Sequence, residues 1–204
     1  MFRDITELLF HPDAFFGRKN HEKQHLVIPA VIVGIGCILG LITPVISSAF
    51  HVGSNPAQAI LTPFEISSNF FSPIIAWILI TVFLYSLCRL LNGTGSFILT
   101  FQNAGYGCLP LTFFSFYILL DGILWGDYFS IPLRVMIVTR VIWGLIATLC
   151  IVWSGWLWTV AMERTHTLSR NKAATAAAIT AFLYMCPMIL RFVVLLYVTD
   201  FFLW

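Results

Sequence analysis

NGTGSFILTFQNAGYGCLPLTFFS, residues 92–115, decides how this chain is read. It opens with a tight polar turn, Asn92-Gly93-Thr94-Gly95. It then runs apolar while carrying Gln102, Asn103, Gly105, Tyr106, Gly107 and Pro110. A helix that only had to cross lipid would gain nothing from so many polar and helix-weakening residues. The stretch therefore predicts a helix packed among neighbours, with Tyr106 and its two glycines at a close contact. Gln102, Asn103 and Tyr106 are placed to hydrogen-bond across helices. Such bonds average about 0.6 kcal/mol in membranes, which reads as packing before it reads as transport.

The rest of the chain supplies those neighbours. Of its 204 residues, 59% are hydrophobic and only 10% charged, where a soluble domain carries about a quarter charged. Mean hydropathy is +0.91. The expected class is all-α, a polytopic integral membrane protein. A net charge of +2 is too small to point to nucleic acid. Residues 1–25 form an amphipathic juxtamembrane segment without a signal peptide's short apolar core and cleavage site; residues 26–204 form one membrane domain. Cys37, Cys88, Cys108, Cys150 and Cys186 all fall in apolar stretches without metal-knuckle spacing, and read as small packing residues.

Five spans are predicted, about 26–50, 72–91, 97–120, 137–162 and 173–199, each near the roughly 20 residues a crossing requires. The first contains Gly36-x-x-x-Gly40, a spacing that lets another helix approach closely, and Pro44, which should kink its outer end. Residues 51–70 read as a loop with a surface-lying apolar piece. The turn at 92–96 makes spans two and three an antiparallel hairpin. Residues 121–136 and 163–172 read as the other loops. Trp153, Trp156 and Trp158 sit where an aromatic belt is expected. Ala174, Ala178 and Ala181 offer a close-packing face on the fifth span. Together with Gly36 and Gly40 they leave a homo-oligomer open.

Lys and Arg set the orientation. Arg3, Arg18, Lys19, Lys23, Arg89, Arg164, Arg170 and Lys172 fall on one side, and Arg134 and Arg140 on the other. The N-terminus is therefore expected in the cytosol and the C-terminus outside. In the first 25 residues, Phe2, Ile5, Leu8 and Leu9 form an apolar stripe suited to lying on the bilayer. His11-Pro12 ends that helix, and Phe15 and Phe16 are expected to dip into the interface. Arg18, Lys19 and Lys23 are expected to meet anionic headgroups, at about 1 kcal/mol each.

Two further features bear on chemistry. Residues 21–25 spell HEKQH, an H-E-x-x-H pattern that puts His21 and His25 on one helical face beside Glu22. A zinc site would need a third ligand, which His166 or Glu163 could supply. Lys23 between the ligands and the headgroup setting argue against a hydrolase, so the pattern reads as fortuitous and no cofactor is expected. Arg191 lies inside the fifth span, where a charge costs on the order of 2–3 kcal/mol. It reads first as a structural charge that snorkels outward beside Asp200, level with a balanced cluster of Arg140, Asp121, Asp127 and Glu65, and second as part of an ion or substrate pathway, paired with Asp121 or facing Tyr106.

Three runs carry a family resemblance. Leu9-Phe10-His11-Pro12-Asp13-Ala14-Phe15-Phe16 resembles the opening of the Yip family, the Ypt/Rab-interacting five-span membrane proteins. Ser72-Pro73 resembles the glycine-proline start of that family's second span. Gly105-Tyr106-Gly107-Cys108-Leu109-Pro110 resembles its Gly-Tyr, then Pro, signature. The chain reads Phe70-Phe71-Ser72-Pro73 where eukaryotic members have Asp-Leu-Tyr-Gly-Pro, and their long polar tail is absent, which points to a bacterial or archaeal relative. The resemblance implies a non-enzymatic scaffold or adaptor whose cytosolic face contacts membrane-protein or small-GTPase partners in trafficking-like membrane organisation. A small transporter using Arg191 and the Tyr106 region is the alternative, and a zinc hydrolase the third.

Overall fold

A computed structural model describes residues 2–19, 25–50, 56–124 and 133–201, without the side chains of 2–3, 47–50, 56–65, 121–122, 124, 133–137, 140 and 187–201. Eight helices account for nearly all of the described residues. A short pair, α1 (Phe2–Phe10) and α2 (Pro12–Lys19), precedes the long helices α3 (Val27–Phe50) and α4 (Pro56–Leu90). A broken helix follows as α5 (Phe97–Gly107) and α6 (Leu109–Leu124), then α7 (Leu133–His166) and α8 (Arg170–Phe201). Four stretches are long and apolar enough to cross a membrane: Val27–Ile46, Ile66–Leu90, Phe97–Leu120 and Val141–His166. Their outward faces carry Ile75, Ile78, Leu145, Leu149 and Val152, all well exposed, which suits lipid rather than water.

Helix α3 packs on α4 and α6, α5 sits between α4 and α7, and α8 closes against α7 and α4. The α3–α4 contact uses Gly36 and Gly40 of the first span. A Cβ on Gly36 would sit 3.5 Å from Pro73 Cβ, and one on Gly40 would strike the backbone of Asn69. The small-residue spacing is thus spent within the chain. Thr112 on α6 donates to Ile32 O at 3.2 Å, holding α6 on α3.

The third span is one crossing made of two helices. Cys108 ends α5, its N–H bonding Gly105 O at 3.2 Å. Pro110 then falls in the first turn of α6, where its missing N–H has no partner to lose.

Boundaries shift where helix formers outweigh breakers. The segment expected as a loop over 51–70 is helical from Pro56, because proline at a first helical position is already set for the helix and Ala57-Gln58-Ala59-Ile60-Leu61 propagates it. Helix α7 runs on to His166, so the loop expected over 163–172 shrinks to a turn around Thr167, whose φ is 53°. The close-packing alanine face is rotated from Ala174 and Ala178 to Ala173, Ala176 and Ala177, which are buried while Ala178 is exposed. A run of alanines has no size contrast from which to phase a helix.

Candidate functional site

The end of the bundle that carries α1 and α2, here the near end, gathers most of the buried polar groups. It is built first by the paired aromatics of α2. Phe15 and Phe16 are fully buried, and so are Leu8 and Tyr106. Phe15 meets the Tyr106 ring edge-on, 4.9 Å between centroids at 84°, and Phe16 meets it at 6.4 Å and 72°. The expectation that these two phenylalanines dip into the bilayer interface is corrected: they enter the protein core. An aromatic edge against an aromatic face is better there than a half-wet position at the headgroups.

Charges then hold the pair of short helices to each other and to the bundle. Arg18 bonds Asp4 at 3.1 Å and also Glu7, and Arg164 on α7 lies 3.5 Å from Asp13. Partial burial raises the Asp4 carboxyl, but the Arg18 hydrogen bond and the Lys19 charge outweigh it and hold the group below its ordinary value. Arg18 is therefore committed within the protein rather than reserved for headgroups.

Glycines 105 and 107 admit two indoles beside Tyr106. A Cβ on Gly105 would lie 2.7 Å from Pro29 Cβ and 2.9 Å from the Trp77 ring; one on Gly107 would overlap the Trp158 ring. Each indole N–H donates to an α5 carbonyl, Trp77 to Phe101 O at 2.8 Å and Trp158 to Ala104 O at 3.1 Å. Trp77 also stacks on Phe101 at 4.0 Å. Trp158 departs from the expected aromatic belt at the surface. It is fully buried, since its ring fills the space a side chain at 107 would need.

His166 closes the near end. Its Nδ1 accepts from Gly95 N–H at 3.2 Å, so that nitrogen carries the lone pair. Its Nε2–H then donates to Thr100 Oγ1 at 2.9 Å, whose own hydroxyl donates to Ser96 O at 2.9 Å. The His166 carbonyl accepts from Thr94 N–H at 3.2 Å, and Thr94 and Thr167 hydroxyls meet at 3.1 Å. Asn103 donates to Thr165 Oγ1 at 2.7 Å. The turn after α4 is thus sewn to the turn after α7, and Gly95 is needed because a Cβ there would lie 2.9 Å from the His166 ring. Thr167 takes left-handed backbone, a strained choice for a β-branched residue, which its bonds to Thr94 and to His166 O at 2.7 Å support.

The predicted site residues separate into three groups. Pro12, Phe15, Phe16, Gly105, Tyr106, Gln102, Asn103 and Pro110 are described, and all are buried or nearly so. Pro73, on α4, packs beside Gly36 of α3. The side chains of Arg191, Asp121 and Arg140, and residues 21–24 of the H-E-x-x-H pattern, lie outside the described residues. His25 is exposed. His166, the suggested third zinc ligand, has both ring nitrogens engaged with protein groups. Gln102 Oε1 and Ser154 Oγ are buried without a hydrogen-bond partner among the described residues. Sequence reading misses Trp77, Thr100 and Thr165. The signal available for the indoles is the pair of glycines around Tyr106, which implies large neighbours.

Comparison with known proteins accords with this core. The sequence model of the family described as Yip1 domain matches residues 6–191, a range that includes both α2 and the Tyr106 region. An archaeal protein, the uncharacterized MJ0794 of Methanocaldococcus jannaschii, is 32% identical over 112 residues, covering 52% of this chain and 79% of its own. No solved structure matches. With a family match across nearly its whole length, the chain belongs to the Yip1 domain family and is a multi-pass integral membrane protein.

Proposed function

We propose that this chain is a non-enzymatic membrane scaffold of the Yip type, whose near end is a preformed cytosolic platform for membrane-protein or small-GTPase partners. In this reading α8 completes five crossings, with the N-terminus cytosolic and the C-terminus outside. The positive residues grouped at the near end support that orientation. The observation that carries the reading is the docking of α2: Phe15 and Phe16 seat on Tyr106, so residues 2–19 present a fixed surface rather than a loose tail. Rigid presentation lowers the ordering cost of binding. The test is affinity purification from native membranes of the full chain against a version lacking residues 1–25. Recovery of small GTPases or membrane-shaping proteins by the full chain alone supports the platform, and identical sets from both versions refute it.

A second reading, a small transporter, is favoured by the buried Gln102 Oε1 and Ser154 Oγ, which have no hydrogen-bond partner among the described residues. It requires a flux in proteoliposomes that Gln102→Leu or Arg191→Ala removes while the protein still folds.

A further inference from the structure

We propose that α4 and α8 together bind one anionic phospholipid, with its phosphate at a cationic corner made by Arg89, Arg170 and Lys172 and an acyl chain in the groove between the same two helices. The inference rests on the membrane assignment and not on partner recruitment.

The corner comes from two helix ends lying side by side. Arg89, in the last turn of α4, donates to Gly93 O at 3.1 Å. Lys172, in the first turn of α8, donates to Leu91 O at 3.4 Å. Both reach one short turn from opposite helices, and all three cations are exposed. Among the described residues none of them has a carboxylate partner, whereas Arg18 and Arg164 do. An Arg has five N–H donors and a Lys three, so one backbone bond each leaves donors for an anion. The first turn of α8 holds no acidic residue, and cations at a helix start oppose its dipole. A phosphate there would relieve the repulsion that the fold otherwise carries.

The groove is a separate observation on the same helix pair. It has a volume of about 720 Å³ and is walled by Phe71, Ile75, Leu79 and Phe83 from α4 and Leu183 and Tyr184 from α8. That size falls within the range of small-molecule sites. Its α4 wall lies inside the apolar crossing Ile66–Leu90, so the medium that fills it is lipid.

Helical phase aligns the two. Lys172 and Leu183 are eleven residues apart, about three turns, and Arg89 and Phe71 eighteen apart, about five turns. Arg89 and Lys172 therefore stand above the faces that line the groove. Along the axis, Arg89 lies six residues beyond Phe83, or ~9 Å. That offset is comparable with a headgroup layer of roughly 5–8 Å. Charge alone would attract any anion, and the groove alone any apolar chain. A phospholipid with an acidic headgroup satisfies both at once.

The test is native mass spectrometry of the full chain released from detergent with equal phosphatidylglycerol and phosphatidylcholine of identical acyl chains. One retained phosphatidylglycerol, exceeding phosphatidylcholine, is expected. R89Q/K172Q should weaken that adduct about thirtyfold and weaken phosphatidylcholine, whose phosphate is offset by its own choline cation, far less. A76F, at an α4 residue that also lines the groove, should weaken both, and K19Q neither. Equal retention of the two lipids overturns the proposal. So does an adduct that survives R89Q/K172Q, or a dimer that A76F dissolves, since the groove would then hold a second copy. Should R89Q/K172Q fail to fold, raising ionic strength from about 0.05 M to about 0.5 M on the native chain decides the matter. Loss of phosphatidylglycerol alone supports the site, and no selective loss sinks it.

Discussion

The Phe15 ring stands edge-on to the Tyr106 ring, 4.9 Å between centroids, and both side chains are sealed inside the protein. The contact joins the first helices of the chain to the middle of its third crossing, and it makes α2 part of the bundle.

Phe15→Ala should therefore undock α2. Removing a buried aromatic ring costs about 3–5 kcal/mol, spent here on a local contact. Tryptic cleavage after Arg18 and Lys19 should quicken several-fold in the variant, with helix content nearly unchanged. Equal cleavage rates would mean that α2 is held elsewhere.

Two glycine substitutions make a matched pair. Gly107→Ala drives a methyl group into the Trp158 indole, while a methyl group at Gly144 would meet nothing within 4 Å. Overpacking costs typically about 1–3 kcal/mol. Gly107→Ala should lower the unfolding temperature in detergent clearly, and Gly144→Ala should leave it level or raise it slightly through helix propensity.

His166→Ala should leave Gly95 N–H and Thr100 without their partner at the near end. An unmet buried group costs about 1–3 kcal/mol. His166→Asn offers a carbonyl oxygen for the Gly95 N–H and should recover part of the loss. Thermal unfolding of the three proteins in one detergent orders them native, Asn, Ala.

Asp4 gives the near end a pH dependence with a definite sign. Its carboxyl titrates below its ordinary range in the folded protein, so its contribution is fully present above the unfolded value. The contribution is lost as pH falls through the folded one, in the region below about pH 4. Tryptic susceptibility is unsuited to that pH, but pepsin cleavage near Phe10 and Phe15 suits it. Cleavage should rise over that interval in the native chain and be already high in Arg18→Gln.

The membrane class, the break near Pro110 and the gathering of Tyr106 with glycines are legible in the sequence because each is a local property. Which residues meet Tyr106 is not. Helices α4 and α7 are apolar on every side, so no stripe tells which face is buried. Trp77 is the single tryptophan of α4, and Trp158 points inward from a helix on which Trp156, two residues earlier, is exposed. Phe15 and Phe16 read as lipid-facing because a short aromatic pair beside basic residues has the same pattern whether it seats in a bilayer or in a protein socket. His166 reads as loop since nothing before Thr167 marks the end of a helix.

The socket for α2 also sets an order in time. Pro12–Lys19 leaves the ribosome well before α5 and α7, yet its seat needs Tyr106 from α5, and its clasp to α7 needs Arg164. Roughly 150 further residues must be made before both exist. Until then Phe15 and Phe16 have only the membrane surface or a chaperone to cover them. An early piece of the chain thus waits for a late one, and its docking follows the completion of the fourth crossing helix.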